Sequence, residues 1–313
     1  MGTPEFAVAT LGSLLMNGFN VVGVVTVPDK PAGRGRTIQK SAVKSFAESS
    51  YIPVFQPDNL KDSGFINTLK DLKPDIFVVV AFRMLPEAVW KIPSIGTFNL
   101  HASLLPDYRG AAPINHAIIN GETRTGVTTF LIDDKIDTGN ILLREEIHIF
   151  PFENAGDLHD RMTKLGARLV IKTLAGIADK SITPKPQSEF ITPGTELKTA
   201  PKIHTEDCFI NWNKSATDIH NLIRGLSPYP GARSILKGRK KTLNLKFFES
   251  IPEIERHEFP PGTIISDGKH LFKIACPDGF VNITYLQLEA KKKMNSIEFL
   301  KGCNISDYII DFN

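Results

Sequence analysis

The chain has 313 residues and a formal net charge of +3, with 42% hydrophobic and 23% charged residues. This length exceeds one typical domain and the composition is ordinary for globular proteins, so we expect two globular domains. No apolar run approaches the roughly 20 residues that span a bilayer, which excludes a membrane-spanning helix. The first residues lack the basic and apolar regions of a signal peptide, so we expect a cytoplasmic protein.

Up to about residue 180, short β-branched segments alternate with segments of helical periodicity. Strands are predicted at 21–27, 76–80 and 97–100, and helices around 7–17, 41–49 and 66–72. Two more strands, at 127–133 and 141–149, flank a turn, and a long helix follows at 155–178. Strands that alternate with helices predict a doubly wound, mostly parallel α/β sheet of the Rossmann type.

Residues 184–203 contain four prolines and no periodicity, which predicts a linker. A helix is predicted beyond it at 216–224. Short strands are predicted at 232–236, 243–248, 262–266, 271–275 and 281–288. This pattern favours a small β-barrel of the OB type. We therefore expect a domain at 1–183, a linker at 184–203 and a barrel domain at 204–313.

The positive charge is concentrated in the second part of the chain. There are 19 basic and 19 acidic residues up to Thr183, and 18 and 15 after it. The excess clusters around 233–241 and 291–293. A solvated lysine surface explains such clusters, and a surface that binds nucleic acid is the alternative.

The segment Asn99–Pro113 concentrates polar side chains at the end of a predicted strand. Asn99 and His101 are two residues apart, so both point to the same face of an extended backbone. An amide donor beside an imidazole suits a carbonyl oxygen that becomes negative during a reaction. A polar turn that leaves a strand is the alternative.

Asp137 lies in the turn Lys135–Asn140. Asp and Gly around Thr138 are typical of a hairpin turn, whereas a functional Asp137 would orient the imidazole or relay a proton. Asp137-Thr138-Gly139 is also similar to the aspartic-protease motif, with Asp62-Ser63-Gly64 as a second copy. That site needs two carboxylates that share one location, and the helical context of Asp62 disfavours it.

Two other site classes lack their motifs. The loop 28–36 is rich in glycine and basic residues but lacks the glycine spacing of a phosphate-binding loop, so it is either a polyanion contact or an exposed loop. The three cysteines form no CxxC pair, and no histidine pair has metal-ligand spacing. We therefore predict neither a disulfide framework nor a metal site.

Taken in order, these motifs resemble the methionyl-tRNA formyltransferase family over nearly the whole chain. The resemblance rests on Gly2–Ala7, the loop Pro28–Gly35, Asn99–Pro113, Asp137–Gly139, Ala200–Ile203, Ile210–Trp212 and Ile223–Ala232. It implies transfer of a formyl group from 10-formyltetrahydrofolate to the amino group of methionyl initiator tRNA, for translation initiation. It also implies a protein that acts as a monomer.

The resemblance assigns roles to particular residues. Asn99, His101 and Asp137 are the implied catalytic residues. The folate is expected at Phe82, Arg83, Met84, Leu85, Ser103, Leu104, Leu105 and Pro106. The tRNA is expected at Lys30, Arg34, Arg36, Lys202, Arg239, Lys240 and Lys241.

The chain departs from the family pattern at three places. Ala102 stands where the family has Gly, and Ala81-Phe82-Arg83 stands where it has Ala-Tyr-Gly. The family also has an apolar strand before Gly-Thr-Pro, so we expect the native chain to begin earlier than Met1.

Two other functions stay open on the sequence. A formyltransferase that acts on a sugar-nucleotide amine or another small amine would share the three catalytic residues. A non-enzymatic RNA-binding protein would leave the cluster around Asn99 unexplained.

Overall fold

The computed structural model describes residues 1–32, 37–239 and 241–311. Within these ranges the chain forms two compact units. The first comprises Met1–Ala111, Thr125–Ile147 and His159–Ala200. The second comprises Ala112–Arg124, His148–Leu158 and the chain from Pro201 onward. The second unit thus includes two short segments from the first half of the sequence. The functional domain boundaries at 183 and 204 stay a prediction.

The elements up to residue 200 alternate as the sequence predicts. The helices are α1 (Glu5–Met16), α2 (Ala42–Ser49), α3 (Ser63–Asp71), α4 (Glu87–Trp90), α5 (Pro113–Ile119) and α6 (Ala155–Ala178). The strands are β1 (Val24–Val25), β2 (Lys30–Ala32), β3 (Thr37–Gln39), β4 (Val54–Phe55), β5 (Ile76–Val80), β6 (Gly96–His101), β7 (Arg109–Gly110), β8 (Arg124–Leu131), β9 (Ile141–His148) and β10 (Thr199–Ala200).

Strand β6 lies inside the main sheet of the first unit, whose order is β5-β6-β8-β9. It pairs in parallel with β5 and antiparallel with β8. Its Phe98 is fully buried and Leu100 is 3% exposed, so packing fixes the strand in place. Asn99 and His101, which alternate with these two residues along the strand, are thereby presented at defined positions.

Met1 and Gly2 join β1 and β5. The Gly2 amide donates to the carbonyl of Val25 at 3.0 Å, and the Val80 amide donates to the carbonyl of Met1 at 2.9 Å. These two residues therefore lie between β1 and β5, at the place where the family pattern has the end of an apolar strand. An apolar groove continues beside them, lined among others by Leu11, Leu14, Val22, Ile76, Val78 and Leu174.

Side-chain caps fix the starts of two helices in the first unit. Ser41 accepts from the Lys44 amide and Asp62 accepts from the Phe65 amide, each as the N-cap residue. The Asp62 carboxylate is thus occupied as a helix cap, which explains the second Asp-Ser-Gly motif without protease chemistry.

The second unit contains the predicted antiparallel barrel. The elements are α7 (Ala216–Gly225), β11 (Ala232–Gly238), β12 (Thr242–Ile254), β13 (Ile264–Ser266), β14 (Phe272–Cys276), β15 (Gly279–Leu288), β16 (Lys293–Asn295), α8 (Ser296–Gly302) and β17 (Tyr308–Asp311). The strands follow the order β13-β14-β15-β12-β11-β17, and β16 pairs with β15. Strands β13 and β17 at the two ends lie against each other, so the barrel is nearly closed.

The predicted fold class is therefore confirmed, and the differences concern element lengths. The strand predicted at 21–27 is paired only at Val24–Val25, because its partner β4 has two residues. Strand β12 runs to Ile254 instead of residue 248, because its pairing with β15 continues past a bulge at Phe247–Ser250. In the described ranges, no helix combines the length and hydrophobicity needed to cross a membrane.

Trp212 anchors the core of the second unit. It is fully buried, its Nε1 donates to the Ser234 hydroxyl at 3.2 Å, and its ring meets Phe247 edge to face with centroids 6.2 Å apart.

We expect Trp212→Ala to lower the free energy of unfolding of this unit by about 3–5 kcal/mol, because a large cavity remains. Trp212→Phe keeps most of the ring contact and should cost less. Urea denaturation followed by circular dichroism tests this, and equal midpoints for wild type and Trp212→Ala would contradict it.

Candidate active site

Strand β6 carries Asn99 and His101 to the carboxyl edge of the sheet. Asn99 lies opposite Val79 and Phe130, and His101 lies opposite Thr128. The two side chains share one face of the strand, as the spacing predicts. In open α/β sheets, ligands bind beyond the carboxyl ends of the strands, which makes this edge the candidate site.

The His101 ring is buried and its orientation is fixed by a backbone group. Its Nε2 lies 2.8 Å from the carbonyl oxygen of Tyr108. Because a carbonyl only accepts hydrogen bonds, Nε2 carries a proton and donates it. The other ring nitrogen, Nδ1, lies 3.7 Å from Asp137 Oδ2. The structure therefore brings together the imidazole and the carboxylate that the sequence singled out.

Asp137 is held by backbone contacts from other loops. Its φ is +55°, a left-handed conformation that is uncommon for residues other than glycine. The Gly110 amide donates to its Oδ2 at 3.1 Å, and the Gln187 side chain donates to its carbonyl oxygen at 2.8 Å. The carboxylate is 16% exposed, so it remains open to a ligand. Asp137 thus needs the surrounding loops to maintain its conformation.

The Asn99 side chain is only partly buried, and its carboxamide takes part in none of the hydrogen bonds found among the described residues. A free amide beside the imidazole can donate to an oxygen atom of a bound ligand. Asn99 can therefore serve as the oxyanion donor that its sequence position predicts.

The loop after β6 is held tightly from within. The Thr128 hydroxyl donates to the Ser103 carbonyl at 2.7 Å and accepts from the Leu105 amide at 3.1 Å. The Ser103 hydroxyl donates to the Asp107 carbonyl at 2.6 Å. Ser103 and Leu105 have no exposed surface and Pro106 is also buried, whereas Leu104 is partly exposed. Of these four predicted folate contacts, only Leu104 presents a side chain to a ligand.

The loop after β5 lies next to the loop after β6, since the two strands are parallel neighbours. Met84 is 64% exposed, Phe82 is half-buried and Leu85 is 6% exposed. The Arg83 guanidinium donates to the carbonyls of Pro57 and Asp58. The Arg83 side chain therefore links its loop to the chain after β4, and its backbone remains the part that a folate can contact.

The predicted tRNA-binding residues are distributed over both units. Lys30 is exposed on β2, Lys202 is exposed in the second unit, and Arg239 and Lys241 are exposed near the turn between β11 and β12. Arg34, Arg36 and Lys240 lie outside the described residues. The sequence prediction for these positions stays a prediction.

The basic residues of the loop at 28–36 continue to Lys40, and we call residues 28–40 the basic loop. The start of this loop is well anchored. The Lys44 ammonium contacts Asp29 at 2.5 Å and Gln56 at 2.7 Å, and Gln56 donates to Asp29 Oδ1 at 2.8 Å. The hydrogen bonds from Lys44 and Gln56 hold the pKa of the Asp29 carboxyl below its usual value. The start of the loop is thus fixed to α2 and to the chain that follows β4.

Comparison with known proteins identifies the family. The formyl transferase family matches residues 1–174, and the formyl transferase C-terminal domain family matches residues 202–304. A methionyl-tRNA formyltransferase of Flavobacterium johnsoniae is 52% identical over 307 residues, which are 98% of this chain and 96% of the relative. That of Bacteroides thetaiotaomicron is 48% identical over 308 residues, 98% and 95% of the two chains.

The chain belongs to the methionyl-tRNA formyltransferase family. Its members are formyl-transferring enzymes, and this chain is such an enzyme. The resemblance inferred from the sequence motifs is thereby confirmed.

Solved structures share the fold. The sugar 3N-formyl transferase WlaRD, solved with dTDP and 5-N-formyl-THF, aligns over 93% of this chain and 97% of its own, with a TM-score of 0.63 and 23% identity. An N-formyltransferase of Helicobacter canadensis aligns over 94% and 97%, with a TM-score of 0.61 and 24% identity. At these identities the similarity supports the fold alone.

Three groups at the site were not found from the sequence. The Tyr108 carbonyl and the Gly110 amide act through the backbone, and the residue type gives no signal for such roles. Gln187 lies in the proline-rich segment that predicts a linker. In the described ranges, no group of three His, Cys, Asp or Glu residues could hold a metal ion.

For this methionyl-tRNA formyltransferase family member, we expect Asp137→Asn to lower the rate of formyl transfer about 10²–10⁴-fold, because the carboxylate that would orient the His101 ring and stabilise its protonated form is lost. The amide still accepts from Gly110, so the fold should persist while the negative charge beside His101 is lost. Single-turnover kinetics measure the effect, and Asp134→Asn, an exposed aspartate in the same loop, is the matched control. Equal rates for both variants would contradict the role of Asp137.

Proposed function

We propose that this protein transfers the formyl group of 10-formyltetrahydrofolate to the amino group of methionyl initiator tRNA. One observation carries the proposal: the Asp137 carboxylate lies 3.7 Å from the His101 ring, at the strand end that presents the free Asn99 amide. The family of relatives near 50% identity supplies the reaction class.

Each of the three side chains has a distinct chemical task. Asn99 donates from Nδ2 to the formyl oxygen and stabilises the negative charge that develops there. His101 takes the proton of the attacking amine at Nδ1, because Nε2 already donates to Tyr108. Asp137 stabilises the positive ring that results, and His101 then returns the proton to the leaving nitrogen. Positioning and electrostatics suffice for these steps.

The folate is proposed to bind across the loops that follow β5 and β6. When bound, 10-formyltetrahydrofolate supplies an activated formyl carbon. Phe82, Met84 and Leu104 offer partly exposed apolar surface there. The backbone of residues 81–85 offers hydrogen bonds to the pterin, so the substitutions in this loop alter side-chain contacts more than backbone contacts.

The tRNA is proposed to contact the basic loop at 28–40 and the basic surface of the barrel. In the second unit, the Lys246 ammonium donates to the Pro230 carbonyl at 3.0 Å and the Lys293 ammonium donates to the Pro228 carbonyl at 3.1 Å. Tyr229 between these prolines is 80% exposed. Two lysines beside an exposed aromatic ring suit phosphate contacts and base stacking. This supports catalysis by residues 1–183 and tRNA binding by residues 204–313.

We further infer that the enzyme acts as a cytoplasmic monomer. Its acceptor is a charged tRNA, which is found where translation starts. Asn99, His101 and Asp137 all belong to one chain, so the reaction needs no residue from a second copy.

The sugar-nucleotide alternative is less well supported. The sugar formyltransferases that share the fold are below 25% identical. Transfer to a sugar-nucleotide amine does not require the basic loop at 28–40 or the basic barrel surface.

The direct test is transfer of a labelled formyl group from 10-formyltetrahydrofolate to methionyl initiator tRNA. We expect activity with wild type and a loss of about 10²–10³-fold in Asn99→Ala, the typical cost of one oxyanion donor. His101→Ala should lose at least as much, because it removes the proton acceptor. Asn140→Ala and His270→Ala, both exposed, are the controls. Transfer to a dTDP-amino sugar but not to the tRNA would support the sugar alternative.

A second test concerns the basic loop. We expect Arg34→Ala to raise KM for the tRNA. The slope of log kcat/KM against log salt concentration should become smaller by about one, because one phosphate contact is lost. KM for the folate should stay unchanged. Arg168→Ala, an exposed arginine on α6, is the charge-matched control. An unchanged salt slope in Arg34→Ala would contradict a tRNA contact at this loop.

A further inference from the structure

The Gln187 side chain forms four hydrogen bonds beside the candidate site. It is 4% exposed, and its Oε1 accepts from Arg109 Nε at 3.1 Å and Nη2 at 2.6 Å. Its Nε2 donates to the carbonyls of Asp137 at 2.8 Å and Gly139 at 3.0 Å. The Gln187 carboxamide therefore accepts two hydrogen bonds through its oxygen and donates two through its nitrogen, which is its full capacity.

These four hydrogen bonds join the two loops that hold the Asp137 carboxylate. One loop carries Arg109 and Gly110, whose amide donates to Asp137 Oδ2. The other carries Asp137 itself in its left-handed conformation. The second loop also approaches β8 closely, because a Cβ at Gly139 would lie 1.7 Å from the Leu131 carbonyl oxygen. A shift of either loop would move the carboxylate relative to His101.

The segment that carries Gln187 is itself fixed on both sides. Lys185 and Ile141 exchange two backbone hydrogen bonds of 2.8 and 2.9 Å. The Arg144 guanidinium lies 4.8 Å from the Phe190 ring centre, and burial lowers the pKa of Arg144. Farther along, β10 pairs in parallel with β7, and Tyr108 donates to the Lys198 carbonyl at 2.6 Å. We call residues 185–200 the strap.

We propose that Gln187 is a positioning residue: by locking the Arg109–Gly110 and Asp137–Gly139 loops together, it sets the Asp137 carboxylate beside His101. The inference rests on the proposed function, since it assigns Gln187 to the same reaction. Gln187 touches neither the reacting atoms nor His101, and it acts only through Asp137. The strap is thus part of the catalytic unit as well as a connection between elements.

The test compares Gln187→Ala and Gln187→Glu with wild type. Gln187→Ala removes all four hydrogen bonds. Gln187→Glu keeps the acceptor for Arg109 but places an oxygen where the two carbonyls need a donor. We expect kcat to fall about 10–100-fold in both, by analogy with the loss of groups that orient metal-binding side chains, with KM for folate and tRNA nearly unchanged. Glu189→Gln, exposed two residues farther along the strap, is the control.

A double-mutant cycle separates positioning from general stability. If Gln187 acts through Asp137, Gln187→Ala should cost little in an Asp137→Asn background. Equal losses in both backgrounds, or wild-type kcat in Gln187→Ala, would overturn the proposal. Wild type that fails to formylate the tRNA would instead overturn the proposed function.

Hydrogen exchange provides a readout that does not depend on activity. The Gly110 amide donates to Asp137, so its exchange should accelerate in Gln187→Ala if the carboxylate moves, and should stay at the wild-type rate in Glu189→Gln. Unchanged exchange at Gly110 in Gln187→Ala would show that Gln187 does not hold Asp137, whatever the activity.

Discussion

The proposed active site depends on one contact, between the Asp137 carboxylate and the His101 ring, which no local segment can make alone. Asp137 lies in a left-handed conformation in the turn before β9, and His101 ends the buried strand β6. A non-glycine residue in such a conformation persists only when its surroundings hold it there. The Gly110 amide and the Gln187 carboxamide do so here. The chemistry of the site therefore rests on loops brought together by the fold.

In the reaction that we propose, the direction of proton movement follows from a backbone group. Because the Tyr108 carbonyl occupies Nε2 of His101, the ring exchanges protons through Nδ1, which faces Asp137. The neutral ring can accept a proton there and the carboxylate stabilises the charge that results. Asn99, on the same face of the strand, is left to bind the oxygen. The proposed tasks of base and oxyanion donor are thereby divided between neighbouring side chains.

The strap changes how the proline-rich segment is understood. Its composition predicts a connection without regular structure, and most of its residues are exposed. Yet it pairs with β7, forms a bridge to Ile141 of β9, and inserts one buried amide between the two loops that hold Asp137. Prolines at 184 and 186 restrict the backbone on the approach to Gln187, which suits a segment that must hold a fixed path.

The sequence alone determined the local structure and the chemical inventory. Helix α6 has the predicted bounds because Leu158, Met162, Leu165 and Leu169 repeat at helical spacing over many turns. The facing of Asn99 and His101 followed from the two-residue period of a strand. These properties depend on neighbours along the chain.

Only the tertiary structure decided what surrounds those side chains. The pairing length of β1, the burial of Ser103 and Leu105, and the contacts of Asp137 depend on segments tens of residues away. Gln187 could not be found from its sequence context, because its function lies in hydrogen bonds to residues 50 and 78 positions distant. Side-chain periodicity carries no information about such contacts, since they arise only when packing brings the loops together.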